Sequence, residues 1–208
     1  TSWQKVGPWY DELVGAKGHH YHQQVIFPHL EDSWHADENT RVLDLGCGQG
    51  VLANWLQKSV EYAGVDSSKY LITQANQQKR SDLQRFFTAD ATKPLSSQLS
   101  NVDLTHFTDV FCVLSLQNMA EPIGCLQNAA EALIESGKLH LILNHPHYRI
   151  PRQTGWDEHI SSRQVYRWVN RYMSPIKIPI AAHPGKSGSQ VTWSFHHSLG
   201  DYSRWLFD

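Results

Sequence analysis

The chain has 208 residues, and 18 Lys and Arg stand against 20 Asp and Glu, which gives a formal net charge of -2 at pH 7. With 40% hydrophobic and 18% charged residues the composition is that of a folded globular protein and excludes wholesale disorder. The absence of a basic surplus argues against a nucleic-acid partner, and the longest strongly apolar run, Val110 to Leu116, is too short for a membrane span.

Two further features bear on the compartment. The chain does not open with a basic segment followed by an apolar one, so no secretory signal is expected. The three cysteines, Cys47, Cys112 and Cys125, are an odd number and lack metal-ligand spacing. We therefore expect a protein of the reducing cytoplasm that holds no metal ion.

Strands and helices are predicted to alternate from residue 41 to residue 144. The predicted strands are Arg41–Leu45, Glu61–Val65, Arg85–Thr88, Asp109–Ser115 and Leu139–Leu143. Helices are predicted between them, one capped by Ser67 or Ser68 and one ended by Gly137. This alternation is typical of βαβ units, so we expect an α/β fold with a Rossmann-like, doubly wound, mostly parallel sheet and flanking helices.

The segments before and after this region of alternating strands and helices have different sequence patterns. Residues 1–40 are expected to form one or two helices. Beyond the fifth strand, Gln164–Val169 and Gln190–Phe195 resemble strands joined through a segment rich in Pro and Gly. We interpret this region as a small antiparallel insertion that hangs over one edge of the sheet.

A glycine turn follows the first strand. Gly46, Gly48 and Gly50 alternate between that strand and the next helix, which lets bare backbone approach a ligand closely. A dinucleotide fingerprint would need a small residue where this chain has Val51, so pyrophosphate binding is disfavoured. Asp44, at the end of the strand, would repel a pyrophosphate but attract an ammonium group.

With its segment Leu43-Asp-Leu-Gly-Cys-Gly48 the chain resembles class I S-adenosylmethionine-dependent methyltransferases, and the resemblance covers about residues 40–145. It implies S-adenosylmethionine as the cofactor. Asp66, at the tip of the second strand, is placed to accept both ribose hydroxyls. The family implies that Asp90, after the third strand, contacts the adenine amino group, and that Ser115 and Leu116 wall the cofactor.

In many relatives an N-terminal helix closes over the cofactor, which makes Trp9, Tyr10 and His22 candidate lid residues. We expect a single domain over residues 1–208, with an N-terminal helical lid (1–40), a cofactor-binding core (41–144) and a substrate-cap insertion (145–198). The predicted cofactor-binding residues are Tyr10, His22, Asp44, Gly46, Cys47, Gly48, Asp66, Ser67, Asp90, Ala91, Ser115 and Leu116.

The predicted activity is methyl transfer to an oxygen or nitrogen of a small-molecule acceptor. The methyl group arrives already activated, so most of the catalysis is positioning, and a base is needed only where the nucleophile keeps its proton. His145 and His147, after the fifth strand, are the candidate bases because histidine titrates near neutrality.

Three alternatives remain open at this stage. An RNA or protein methyltransferase of the same fold is favoured if the segment from Arg149 to Arg171 forms a basic face. The other two are a non-catalytic cofactor-binding module and a nicotinamide-dependent oxidoreductase. Methyltransferases of this class usually end with two strands after a final helix, and the sequence stops within the expected helix, so these C-terminal strands are expected to be missing.

Overall fold

The computed structural model describes residues 1–148, 153–182 and 187–207. Its centre is a parallel sheet of five strands in the order β3-β2-β1-β4-β5. The strands are β1 (Arg41–Leu45), β2 (Glu61–Asp66), β3 (Gln84–Thr88), β4 (Phe107–Val113) and β5 (Leu133–Ile142). The strand order reverses between β1 and β4, which opens a crevice for ligands at their carboxyl ends. The predicted doubly wound sheet is confirmed.

Helices cover both faces of this sheet. They are α1 (Ser2–Val14), α2 (Phe27–Ser33), α3 (Val51–Trp55), α4 (Lys69–Gln78), α5 (Leu95–Gln98), α6 (Pro122–Ala132) and α7 (Leu199–Phe207). Successive side chains of a strand point to opposite faces, so Val42 packs in a cluster with Leu52 of α3, whereas Leu43 packs in another with Leu126 of α6. Every described helix is too short or too polar to cross a lipid bilayer.

The end of α6 differs from the prediction. The helix stops at Ala132 and the chain passes directly into β5, so Gly137 does not end the helix but lies within the strand. The pairing of β4 with β5 shifts register beside it, from Phe107 opposite Leu133 to Asp109 opposite Lys138. A Cβ at Gly137 would lie 3.1 Å from the carbonyl oxygen of Phe107, so the glycine is needed for close backbone approach at this irregularity.

The insertion after β5 contains two hairpins rather than one. β6 (Thr154–Glu158) pairs with β7 (Val165–Val169), and β8 (Ile176–Ala181) pairs with β9 (Val191–His196), all antiparallel. The two predicted strands exist as β7 and β9, but each pairs with a strand that the prediction missed. Pro179 lies inside β8, where the two-stranded ribbon leaves one backbone edge free, as strand prolines require.

The second hairpin lies over the carboxyl ends of the sheet strands. Ser194 of β9 donates to the carbonyl oxygen of Gln117, in the turn after β4, at 3.4 Å. Thr192, two residues earlier on the same face of β9, has its hydroxyl oxygen 3.1 Å from that of Ser2 in α1. The hairpin is thereby fixed between α1 and the end of β4.

Candidate active site

The glycine turn after β1 forms the floor of a cleft. Gly46 and Gly48 have positive φ values of 84° and 56°, and the backbone N–H groups of Gly46 and Cys47 both donate to the carbonyl oxygen of Val65. A Cβ at Gly46 would lie 2.5 Å from the Cβ of Ser115. Only glycine therefore meets both the backbone and the packing demands of this turn.

Asp66, at the end of β2, connects this turn to the next helix. Its Oδ2 accepts from the backbone N–H of Gly48 at 3.0 Å, and its Oδ1 accepts from that of Ser68 at 2.8 Å. Burial raises the pKa of Asp66, while these two hydrogen bonds act against the shift. Ser68, rather than Ser67, caps α4 by accepting from the backbone N–H of Leu71. The carboxylate lines the cleft and is held rigidly by two elements.

Asp44 and Cys47 lie beneath the turn rather than in the cleft wall. Asp44 Oδ2 accepts from the hydroxyl of Tyr62 at 2.8 Å, and its buried Oδ1 has no hydrogen-bond partner among the described residues. Burial raises the pKa of Asp44 to about 7, the Tyr62 hydrogen bond lowers it, and the charge of Asp66 raises it further. Burial also raises the pKa of the Cys47 thiol, so this group stays protonated at neutral pH.

The far wall of the cleft follows β3 and β4. Asp90 lines it and accepts two hydrogen bonds at Oδ1 from Thr92, from the backbone N–H and from the hydroxyl. Ser115 lines it as well, and its hydroxyl donates to the carbonyl oxygen of Leu45 at 2.7 Å. Leu116, predicted to wall the cofactor, is only 1% exposed and packs in the core instead.

The cleft has a volume of about 360 Å³. It brings together eight of the twelve predicted cofactor-binding residues: Tyr10, Gly46, Gly48, Asp66, Ser67, Asp90, Ala91 and Ser115. It also contains residues that the sequence reasoning missed, including Trp3, Leu114, Lys177 and Trp193. Lys177 and Trp193 lie on the second hairpin. The position of this hairpin depends on tertiary packing, which no local sequence motif predicts.

Tyr10 of α1 lies where the cleft meets a second cavity. It lines both spaces, its ring lies 3.6 Å from the position of a Cβ on Gly48, and it contacts Trp3 edge-to-face at 5.4 Å between ring centroids. Burial, followed by the charges of Asp66 and Asp44, raises the pKa of Tyr10 far above its usual value. The predicted contact of an N-terminal helix with this cleft therefore exists in α1.

His22 requires a correction, because the structure places it away from the cleft. Its side chain packs against Phe27, at 5.8 Å between ring centroids, and beneath the turn at Gly18. The residue is 4% exposed, and burial lowers its pKa to about 4. A neutral, buried histidine in the packing of the N-terminal segment cannot serve as a lid.

The second cavity has a volume of about 260 Å³ and lies between α1, the second hairpin and α7. The hairpin separates the two spaces, since its alternating side chains face different ways. Ile178, Ile180 and Ser194 line the second cavity, whereas Lys177 and Trp193 line the cleft, with the Lys177 ammonium 4.2 Å from the centre of the Trp193 ring.

The predicted bases, His145 and His147, do not line this cavity. Both are exposed, while their neighbours Asn144 and Pro146 do line it. The histidines that line it are His19, His196 and His197. The only sequence signal for the last two is their place directly after the predicted strand Gln190–Phe195. Among the described residues no group of His, Cys, Asp or Glu could hold a metal ion.

Comparisons with known proteins agree with this geometry. A family model for a methyltransferase domain matches residues 36–184. An S-adenosylmethionine-dependent methyltransferase from Mesorhizobium loti has a similar structure, with a TM-score of 0.64 at 20% identity over 86% of this chain and 78% of its own. The CcbJ methyltransferase from Streptomyces caelestis gives a TM-score of 0.67 at 18% identity over 100% and 85% of the two chains.

The glycopeptide N-methyltransferase MtfA, solved with S-adenosylmethionine, gives a TM-score of 0.57 at 15% identity over 88% of this chain and 80% of its own. No curated protein sequence matches the chain. The structural likenesses show the fold, and the family model covers well over half of the sequence. The protein therefore belongs to the class I S-adenosylmethionine-dependent methyltransferases.

Proposed function

We propose that this methyltransferase acts on an oxygen or nitrogen atom of a small-molecule acceptor held in the second cavity. The observation that carries the proposal is that the two spaces are adjacent, with side chains that form a wall of both. They share five lining residues, Trp3, Tyr10, Leu114, Asn118 and Phe195. A cofactor in the cleft and an acceptor in the cavity would thus meet at Tyr10, where positioning provides most of the rate acceleration.

The cleft residues fit S-adenosylmethionine. Asp66 and Asp90 each keep acceptor capacity beyond the hydrogen bonds described above, which suits ribose hydroxyls and an adenine amino group. The buried Asp44 carboxyl lies beneath the glycine turn and not in the cleft wall, so its charge would favour the ammonium group through the turn and without direct contact. When bound, the cofactor supplies a methyl group activated by its sulfonium. Tyr10 and Trp3 would place aromatic rings beside that positive charge and exclude water from it.

Binding of S-adenosylmethionine is expected to become tighter as the pH rises from about 6 to about 7.4, and to weaken again above about pH 8, where the ligand's own ammonium group, with an ordinary pKa of about 7.7–8.0, loses its charge. The folded-state pKa of Asp44, about 7, lies above the value of 3.8 for a free carboxyl, so the empty protein favours the protonated form and loses stability as the pH rises through 7. A cationic ligand favours the ionised form. If this form binds only the ammonium form of the ligand, affinity rises by about fivefold over this range and a proton is released.

Isothermal calorimetry in two buffers of different ionisation enthalpy measures this proton release. Asp44→Asn, which cannot ionise, should flatten the pH dependence of the affinity. The exposed Asp82→Asn is the matched control and should retain it. An unchanged pH profile in Asp44→Asn would show that another group carries the proton.

His145 and His147 stay predictions as proton acceptors. Their exposure and their contacts with Tyr148 and Tyr172 favour a role in the packing of the loop after β5. Both follow or precede residues that line the second cavity, so either histidine would have to turn its side chain into that cavity to accept a proton from a bound substrate.

The described part of the basic segment favours a small molecule over RNA. Arg163 pairs with Glu158 at 3.4 Å, and Arg167 folds over the ring of Trp156 at 5.3 Å. Arg149 and Arg152 lie outside the described residues. The three cysteines are free and buried, which supports the reducing cytoplasm as the compartment in which the protein acts.

A methyl-transfer assay with labelled S-adenosylmethionine tests the proposal. The acceptors are supplied separately as phenols, amines, bulk tRNA and a glycopeptide, and the label incorporated into each is measured. We expect label in a small acceptor and none in tRNA. Ile180→Trp, which fills the second cavity, should reduce this transfer at least roughly tenfold because the acceptor loses its position, with cofactor affinity unchanged.

Ile160→Trp, at a residue 93% exposed, is the matched control and should transfer at the parental rate. Label that appears only in tRNA or the glycopeptide would overturn the proposal. Cofactor binding with no transfer to any of the acceptors would support a non-catalytic module instead.

A further inference from the structure

Two buried polar groups at the second cavity have no hydrogen-bond partner among the described residues. They are Oε1 of Gln117 and Nε2 of His197. Gln117 is only 8% exposed, and both residues line the cavity. Both atoms are shielded from the cavity in this conformation, so a small rotation of each side chain is needed before a ligand can pair with it. Because burying a polar atom without a partner is costly, that pairing is favourable and the two side chains indicate a ligand with polar groups.

His197 is held in a fixed position at the end of the second hairpin. It precedes Ser198, which exchanges hydrogen bonds with Asp201 at the start of α7. Its ring contacts Trp205 edge-to-face, at 4.8 Å between centroids. Burial lowers its pKa, the charge of Asp201 opposes this shift, and His196 adds to it, so the imidazole is neutral at pH 7. The neighbouring His196 is already engaged, with Nε2 bonded to the carbonyl oxygen of Tyr172 at 2.8 Å.

Gln117 occupies the turn that directly follows β4. Its neighbours Ser115 and Asn118 line the cofactor cleft, so Gln117 stands at the end of the cavity closest to the cofactor. A side-chain amide accepts with its oxygen and donates with its nitrogen. A hydroxyl group, which both donates and accepts, fits this amide in either orientation.

The remaining walls define the rest of the ligand. Aromatic and aliphatic side chains dominate, and among the described residues the cavity contains no Lys, Arg, Asp or Glu. The apolar lining residues are Trp3, Trp9, Tyr10, Leu13, Leu114, Pro146, Ile178, Ile180, Phe195 and Tyr202. A carboxylate or an ammonium group would lose its hydration here and gain no opposite charge.

We infer that the acceptor is an uncharged aromatic compound with ring hydroxyl groups, and that Gln117 and His197 select it by hydrogen bonding to those hydroxyls. This inference deepens the proposed function and rests on it for the role of the cavity. Gln117 and His197 are positioning and specificity-determining residues in this assignment. His197 was not among the residues predicted from the sequence, whereas the position of Gln117 after the fourth strand predicts that it faces the substrate side.

The test measures binding, by fluorescence titration of the full chain saturated with S-adenosylhomocysteine. The probes are dihydroxynaphthalene, its ether dimethoxynaphthalene, and the charged naphthoate. Dihydroxynaphthalene should bind at least roughly tenfold more tightly than either of the others, because the ether leaves the buried groups unpaired.

Gln117→Met and His197→Phe keep the size of each side chain and should each reduce the preference for the hydroxyl probe over the ether at least roughly threefold. His197→Gln, which keeps a hydrogen-bonding nitrogen, should restore part of it. The exposed Gln77→Met and His29→Phe are matched controls and should keep the parental preference. A purely structural role would weaken both probes equally and leave the ratio unchanged.

An unchanged ratio in both cavity variants, or naphthoate binding as tight as that of dihydroxynaphthalene, would overturn the inference. Failure of the proposed function is distinguishable, because methyl transfer is not read in this experiment. A parental protein that prefers the hydroxyl probe but methylates no small molecule would retain the inference as a binding site and reject the proposed reaction.

Discussion

Asp66→Ala is expected to weaken S-adenosylmethionine binding by roughly a hundredfold or more, because hydrogen bonds to a charged group contribute about 1.5–3 kcal/mol each and the cofactor would lose two. The same change removes the hydrogen bonds from the backbone N–H groups of Gly48 and Ser68. The floor of the cleft therefore loses its anchor as well as its acceptor. Calorimetry with S-adenosylmethionine and with S-adenosylhomocysteine measures the loss.

Two further variants separate these contributions. Asp66→Asn keeps one acceptor oxygen and should fall between the parent and Asp66→Ala. Asp82→Ala, at an exposed carboxylate paired only with Lys79 in the described structure, is the control and should bind as the parent does. If Asp66→Ala is folded by circular dichroism and binds the cofactor with parental affinity, the assignment of the cleft to the cofactor is wrong.

The core of the fold could be predicted because its signals are local. Each strand from β1 to β4 is a short apolar run bounded by turn residues. The three alternating glycines after β1 are by themselves enough to predict a tight turn there. Asp66 and Asp90 could be placed as well, since the carboxyl ends of parallel strands meet at one edge of the sheet.

The hairpins and the lid depend on contacts between distant segments. β8 was missed because it contains Pro179, and proline argues against a strand. Gly137 was predicted to end a helix because a sequence does not distinguish a glycine at a helix terminus from one at a strand irregularity. His22 and Tyr10 were both predicted to be lid residues because both lie in the N-terminal segment. Only Tyr10 lies on the side of that segment that faces the cleft.

The acceptor side was the least predictable part of the site. Gln117 and His197 belong to no motif, and their interest comes from unpaired atoms beside a cavity, which only coordinates reveal. His145 and His147 were preferred because they follow a sheet strand directly. The second hairpin covers the same edge of the sheet and contributes its own histidines instead.

Gly46→Ala is expected to abolish measurable cofactor binding and to lower the free energy of unfolding by about 2–5 kcal/mol, the combined cost of an alanine at positive φ and of overpacking. The new Cβ would lie 2.5 Å from the Cβ of Ser115 and 3.0 Å from its hydroxyl oxygen. That hydroxyl donates to Leu45, so relief of the clash would break this bond and move the end of β4 toward the cleft. Denaturant unfolding and calorimetry measure the two effects.

Gly15→Ala is the matched control, since Gly15 also has a positive φ, of 62°, but a Cβ there would meet no atom within 4 Å. Its backbone, with φ 62° and ψ 180°, lies in a region that essentially only glycine adopts, so Gly15→Ala should show only the backbone cost, about 1–3 kcal/mol, and bind the cofactor normally. The difference between the two variants isolates the contact with Ser115. Gly46→Ala, Ser115→Gly should recover part of the stability, because removing the Ser115 side chain removes the clash. Equal losses in Gly46→Ala and Gly15→Ala, with binding retained in both, would show that close approach at this turn is not what shapes the cleft.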